Sequence, residues 1–296
     1  MTTVAIVGMG WVGSSVAIST LHAGIATRVL LHDTRTELAE GEAMDLAHGA
    51  PFYPHAEVRA VAFEETLAAD AIVIAAGRGG KAGESRLQLL QHNATIAREI
   101  GARLRKYKGV VVNVTNPVDI FTQLVLEASG LSLEKVIGTG TILDTARLRH
   151  VIARMIGVDA RSIHGQVIGE HGDSEVALFS SASVGGARLR SRSGWARSNE
   201  PRVAEEVRRA AYEIIKRKGA TNHAIGLATA DLLRCVLRGE RRVLTVSRLH
   251  GDVVYSLPCI VDHAGAVDVV APDMDEAETK SLEKSIAALR DARAGL

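Results

Sequence analysis

The sequence predicts an α/β molecule: a doubly wound parallel sheet over residues 1–140, followed by an α+β domain over residues 141–296. Three observations lead there. Short β-branched runs alternate with longer helix-like stretches through the first half, the pattern of parallel strands joined by crossover helices. The clearest runs are Val4 to Val7, Arg28 to His32, Ala71 to Ala75 and Val110 to Val114. Their apolar residues are continuous rather than alternating, as strands covered on both faces require. With 296 residues, the chain exceeds what one compact core usually organises, so two lobes are expected.

The first strand runs into Gly8-Met9-Gly10-Trp11-Val12-Gly13, and Ser14 to Ala23 reads as the helix that follows. The second strand ends at Asp33. Pro117 stops the Val110 strand because it cannot donate to a ladder, and it keeps Asn116 out of the helical region. Asn116 is thereby placed at a strand's carboxyl end, where α/β proteins bind ligands. From about Gly140 the character changes. Thr141 to Ile156 and Pro201 to Lys218 read as helices, the second ending in a solvated Lys216-Arg217-Lys218. Between them, Ser180 to Asn199 is rich in Ser, Gly and Arg, and Leu189 to Asn199 reads as an exposed loop. Asn222 to Leu237 is a long apolar helix without proline, and Met274 to Arg293 closes the chain as an amphipathic surface helix.

Composition excludes several function classes. A net charge of +1 gives no field for nucleic acid or an anionic membrane, so the expected partners are small molecules or further copies of the chain. Cys235 and Cys259 lack metal-ligand spacing, no metal site is expected, and a reducing compartment is implied. The first apolar run stops at Gly8, too soon for a signal-peptide core, which points to the cytoplasm.

The glycine-rich loop gains meaning from its setting between strand and helix, the context of a Rossmann dinucleotide site. Its first glycine permits the turn, its second lets backbone approach a pyrophosphate, and the helix N-terminus offers unpaired N–H groups. Asp33, twenty residues past Gly13, suits the ribose hydroxyls of NAD and would repel the 2′-phosphate of NADP. Arg35 pulls the other way.

His171 stands in Gly169-Glu170-His171-Gly172-Asp173 after an apolar run, a strand-end position for a proton donor whose ordinary pKa is about 6.5. Its charge and tautomer need a carboxylate, for which Asp144 is the candidate. Arg147 follows Asp144 by three residues, on the same helix face, where a guanidinium can grip a substrate carboxylate with two hydrogen bonds. An intrahelical salt bridge is the alternative for that pair. Arg86 follows Arg78-Gly79-Gly80-Lys81-Ala82-Gly83, a loop able to fold over a bound cofactor and bring Arg86 to a polarised carbonyl. Together these residues suit reversible hydride transfer to a 2-keto acid.

With these motifs in hand the chain resembles the lactate/malate dehydrogenase family, from Val4 to about Leu289. The resemblance rests on G-M-G-W-V-G, M-D-L-A-H at Met44 to His48, G-E-S-R-L at Gly83 to Leu87, V-T-N-P-V-D at Val114 to Asp119, L-D-T-A-R-L-R at Leu143 to Arg149, G-E-H-G-D-S, and K-G-A-T at Lys218 to Thr221. It implies His171 as acid/base, Asp144 as its orienter, Arg147 as carboxylate clamp, Arg86 as loop arginine and Thr221 as pocket wall. Asn116 is implied to touch both nicotinamide ribose and substrate. The implied cofactor contacts are Gly8, Gly10, Val12, Gly13, Asp33, Gly77, Val114, Asn116 and Thr139. A homo-oligomer, tetramer rather than dimer, is implied too, with the helix from Asn222 packed back on the first lobe. In many bacterial lactate members an arginine and a histidine placed like Arg149 and His164 bind fructose 1,6-bisphosphate across a subunit interface.

G-E-H-G-D and G-E-S-R resemble the lactate branch. At the position six residues before Arg86, lactate members carry glutamine and malate members arginine; this chain has Gly80. A second substrate carboxylate buried without a cation costs several kcal/mol, so pyruvate or a bulkier 2-keto acid is expected. Malate dehydrogenase is the alternative, with Arg78 and Lys81 the nearby cations. A metal-dependent glycosidase would need a cysteine near His171, and there is none. A non-catalytic NAD-binding sensor would have no reason to keep His171, Asp144, Arg86 and Arg147 together.

Overall fold

The computed structural model of the chain describes residues 2–79 and 86–296, without the side chains of Arg86 and Leu87. Six parallel strands, β1 (Thr3–Val7), β2 (Arg28–His32), β3 (Glu57–Ala60), β4 (Ala71–Ile74), β5 (Val110–Asn113) and β6 (Val136–Gly138), lie in the order β3-β2-β1-β4-β5-β6. That is the double winding expected, with a strand-order reversal between β1 and β4 that opens a crevice at the carboxyl ends. The continuous runs are buried along their length in β1, β4 and β5. β3 was not among the expected strands. Its sequence Glu-Val-Arg-Ala is half polar and half exposed because it lies at the sheet's edge.

The crossover helices are α1 (Trp11–Ala23), α2 (Thr36–His48), α3 (Phe63–Thr66), α4 (Arg86–Arg103) and α5 (Val118–Ser129). The second half begins with α6 (Ile142–Ile156) and a small antiparallel sheet, β7 (Ile163–Ile168), β8 (Val176–Val184) and β9 (Ala187–Arg188). It continues through α7 (Glu200–Lys218) and α8 (His223–Arg238). Three antiparallel strands, β10 (Arg242–His250), β11 (Val253–Asp262) and β12 (Gly265–Val269), precede α9 (Glu276–Ala294). β10 pairs with β6 through Ser247 and Gly138, so the late strands extend the first sheet to nine.

Apolar side chains cover both faces of this sheet. On one face α8 lies against α1 so closely that a Cβ on Gly226 would sit 2.6 Å from the Ser15 carbonyl oxygen. A third core lies beside the small sheet and includes Leu189 and Trp195, at 0% and 8% exposure. The exposed loop expected from Leu189 to Asn199 is corrected here. Ser191, Ser193, Arg197 and Ser198 are exposed, but Arg190 is ion-paired to Glu200 and Asp275, and the two apolar side chains anchor the segment, with Trp195 stacked on Phe179.

Candidate active site

The nucleotide half of the site is made of backbone. Gly8 has φ +99°, and a Cβ there would meet the Ala76 nitrogen at 2.5 Å. A Cβ on Gly13 would meet the Gly8 carbonyl oxygen at 1.9 Å, whereas one on Gly10 would meet nothing within 4 Å. The loop is thus closed inward and open at Gly10, which caps α1 without any side-chain hydrogen bond. An uncapped helix N-terminus beneath open space is the cradle a pyrophosphate needs, so the residues present fit NAD. Val12 stands half-buried in the first turn of α1.

Asp33 ends β2 and fixes the loop from the side. Its Oδ2 accepts the Met9 N–H at 2.8 Å, and its Oδ1 accepts the Arg35 N–H at 2.9 Å and Nε at 3.3 Å. Burial alone would raise its pKa. The Arg35 and Met9 hydrogen bonds outweigh that and hold it below the ordinary carboxylate value. Arg35 is therefore tied to Asp33 in an ion pair. Gly77 lies beyond β4, where a Cβ would strike Thr115 at 2.5 Å, and Val114 and Thr139 are buried at the ends of β5 and β6. Asn116 is exposed at the crevice, before a cis bond to Pro117.

The other half is made of charged side chains. β7 leads to Gly169, whose φ of +85° turns the chain against α9, and Gly169 exchanges two 2.9 Å backbone hydrogen bonds with Ser256. That turn presents His171. Its Nδ1 lies 2.6 Å from Asp144 Oδ2, and its main-chain N–H donates to Asp119 Oδ2 at 2.8 Å. The other oxygen of Asp144 accepts from Arg147 Nη1 at 2.6 Å. Asp144 is 2% exposed while the His171 side chain keeps 24%, so the imidazole faces the cleft and the carboxylate lies behind it. Nδ1 donating to Asp144 leaves Nε2, which has no partner among the described residues, as the outward nitrogen.

Burial alone would push His171 down. The charge and hydrogen bond of Asp144 reverse this, with Asp119 and Glu175 adding, and its pKa stands at about 9. Asp144 is held below its ordinary value despite burial, by His171 and then Arg147. Glu175, 7% exposed, is pushed up to about 8 by burial and by the neighbouring Asp144 charge.

His171, Asp144 and Arg147 thus come together as expected. The salt-bridge alternative for Arg147 is realised as well, through Nη1, and its Nε and Nη2 have no partner among the described residues. Thr221 stands half-buried between α7 and α8. Gly80, Lys81 and the side chain of Arg86 lie outside the described residues. Arg78 donates its main-chain N–H to Asn93, and its guanidinium lies 2.8 Å from His92 Nδ1 on α4. Arg149 and His164 line one cavity of about 730 Å³, with Arg161, Gln166 and Arg242 among its other walls. Arg149 Nε donates to the Gly165 carbonyl at 3.0 Å. Sequence reasoning assigned nothing to Asp119, Glu175 or Asn93. Asp119 stood inside a quoted motif; the other two carried no signal.

Among the described residues no group of three metal-type ligands occurs, and no helix is long and apolar enough to cross a membrane. The family description "lactate/malate dehydrogenase, NAD binding domain" matches residues 2–138, and "lactate/malate dehydrogenase, alpha/beta C-terminal domain" matches residues 141–294. The L-lactate dehydrogenase of Salinibacter ruber is 43% identical over 99% of this chain and 97% of its own length. That of Pseudothermotoga lettingae is 40% identical over 95% and 92%. Among solved structures, the minor L-lactate dehydrogenase of Enterococcus mundtii superposes with a TM-score of 0.97 at 36% identity, covering 100% of this chain and 98% of that one.

Proposed function

Because this chain belongs to the lactate/malate dehydrogenase family, we propose that it is an NAD-dependent L-2-hydroxy acid dehydrogenase interconverting pyruvate and L-lactate. The observation that carries this reading is the His171–Asp144–Arg147 cluster beside an open glycine-rich loop. NAD, when bound, supplies the hydride chemistry. Gly8, Gly10, Val12, Gly13, Asp33, Gly77, Val114, Asn116 and Thr139 hold it.

His171 is the proton donor to the carbonyl oxygen and takes the proton back in the reverse direction. A pKa of about 9 keeps its imidazole charged at neutral pH, ready for the alkoxide that develops. Asp144 holds Nδ1 so that Nε2 carries the transferable proton. The Nε–Nη2 edge of Arg147, without a partner among the described residues, grips the substrate carboxylate, and the Nη1 bond to Asp144 sets its plane. Arg86 polarises the carbonyl, and Asn116 and Thr221 bound the pocket. Gly80 supplies no side chain where the resembled lactate members carry glutamine, which broadens the range to larger 2-keto acids. The division into a cofactor part, 1–140, and a substrate part, 141–296, belongs to the same reading.

NADH oxidation with pyruvate and with oxaloacetate tests it: pyruvate should give the higher kcat/KM, and the reverse result makes the chain a malate dehydrogenase. Self-association is supported by uncovered Trp11, Met44, Phe52 and Leu227, each more than 60% exposed, and a tetramer is the proposed state. Arg149 and His164 form the proposed fructose 1,6-bisphosphate site, supported by the cationic cavity they share. An unchanged half-saturation for pyruvate at pH 6 and low ionic strength on adding that anion would remove the regulatory reading. Two buried free thiols fit a cytoplasmic location.

A further inference from the structure

Asp119 is a buried carboxylate that the chemistry above does not use. It stands in the first turn of α5 at 2% exposure and has no ion pair with lysine or arginine among the described residues. Its Oδ2 accepts the His171 main-chain N–H at 2.8 Å, and its Oδ1 accepts the Ser247 hydroxyl. Ser247 Oγ lies 3.0 Å from Ser256 Oγ, which accepts the Thr141 N–H at 3.1 Å. A Cβ on Gly140 would strike both serine hydroxyls, so this network is tightly enclosed. It joins α5, β10, β11, the entry to α6 and the His171 loop.

Resting on the proton-donor role of His171, we propose that Asp119 is a second positioning residue for that histidine: its carboxylate holds the His171 backbone and its charge keeps the imidazole protonated. An isolated ionised carboxylate in such a place is unfavourable unless hydrogen-bonded and faced by a cation. Two hydrogen bonds are present, and the charge of the protonated His171 imidazole nearby favours the ionised carboxylate. The charged groups around Asp119 are His171 and Glu170, the latter opposing its ionisation, while β10, β11 and residues 140–141 offer hydroxyls and N–H groups. Around His171 the charges are Asp144, Asp119 and Glu175, with Arg147 beyond Asp144. Burial raises Asp119 to about 6, so it is still ionised at neutral pH. Asp144 secures the ring while Asp119 secures the main chain, and both favour the proton.

Asp119→Asn separates charge from geometry. Its amide oxygen can still accept from His171, and its NH2 can donate to Ser247, whose own proton turns to Ser256. The His171 imidazole is titrated by NMR in the full-length protein, alongside the pH dependence of kcat/KM for pyruvate. In D119N the midpoint should fall by about one pH unit, as expected for removal of a nearby opposite charge. Above both midpoints kcat/KM should then fall about tenfold, with little change at pH 6. Ser247→Ala, which keeps the carboxyl but removes a donor, should shift the midpoint the same way by less, and it serves if D119N folds poorly. A lower melting temperature with an unmoved His171 midpoint in the folded variants reduces Asp119 to a structural role and overturns the proposal. A shifted midpoint without turnover of any 2-keto acid supports the coupling and removes the dehydrogenase reading instead.

Discussion

The two halves of the crevice solve their binding problems with different materials. Around the glycine loop the working groups are main-chain N–H donors and the absence of side chains. Around His171 they are ionised side chains drawn from α5, α6 and the turn after β7. A backbone site is defined by which atoms fit, so changes there should alter affinity and stability. A charge site is defined by proton and ion positions, so changes there should alter turnover and its pH dependence.

The largest test falls on the charged half. His171→Gln should leave NADH binding near normal and lower turnover by about 10²- to 10⁴-fold, the usual range for a positioned acid/base. A variant that keeps a tenth of wild-type turnover excludes His171 from that role. The opposite behaviour is expected of Gly13→Ala. With a Cβ 1.9 Å from the Gly8 oxygen, the loop must shift, lowering stability by about 1–3 kcal/mol and weakening NADH binding. Turnover at saturating NADH should stay within a few-fold of wild type; equal losses in both halves would dissolve the contrast. Gly80→Arg restores the residue that the resembled malate members carry at this position and should raise the oxaloacetate-to-pyruvate ratio of kcat/KM. An unchanged ratio means that position does not face the substrate.

The smallest effect is on stability. His171 has a raised folded pKa, so its contribution is complete below about 6.5, its unfolded value, and is lost as pH climbs through about 9. Glu175, a carboxyl whose folded pKa is likewise raised, loses its contribution from its ordinary range up through about 8. Melting temperature should therefore decline from pH 6.5 to 9, and His171→Gln should flatten the slope. A flat wild-type profile would show that neither group titrates differently in the folded and unfolded chain.

The same contrast explains what the sequence discloses. β1, β2, β4 and β5 were legible because burial on both faces leaves uninterrupted apolar runs, and the glycine loop because its reason is local. β3 was missed because an edge strand is free to be polar. The joining of β10 to β6 rests on Ser247 beside Gly138, residues more than a hundred positions apart with no shared pattern. Leu189 to Asn199 misled because two apolar anchors among many polar residues suffice to fix a segment. In the site, His171, Asp144 and Arg147 stood out through their motifs. One partner of Asp119 is a backbone N–H 52 residues away, and a main-chain donor leaves no mark on composition; the other, the Ser247 hydroxyl, stands 128 residues away. Glu175 acquires its character only from burial beside Asp144.

The nine-stranded sheet also bears on how the chain must be made. During synthesis β6 emerges as the outer strand of the parallel sheet, and Gly138 stays unpaired on that side until Ser247 of β10 arrives. An uncovered apolar edge invites pairing with a neighbouring chain. A nascent chain stalled or cut near residue 140 is accordingly not a finished half-protein but a sticky template, and the last fifth of the sequence acts as the stopper that makes the first half safe to release.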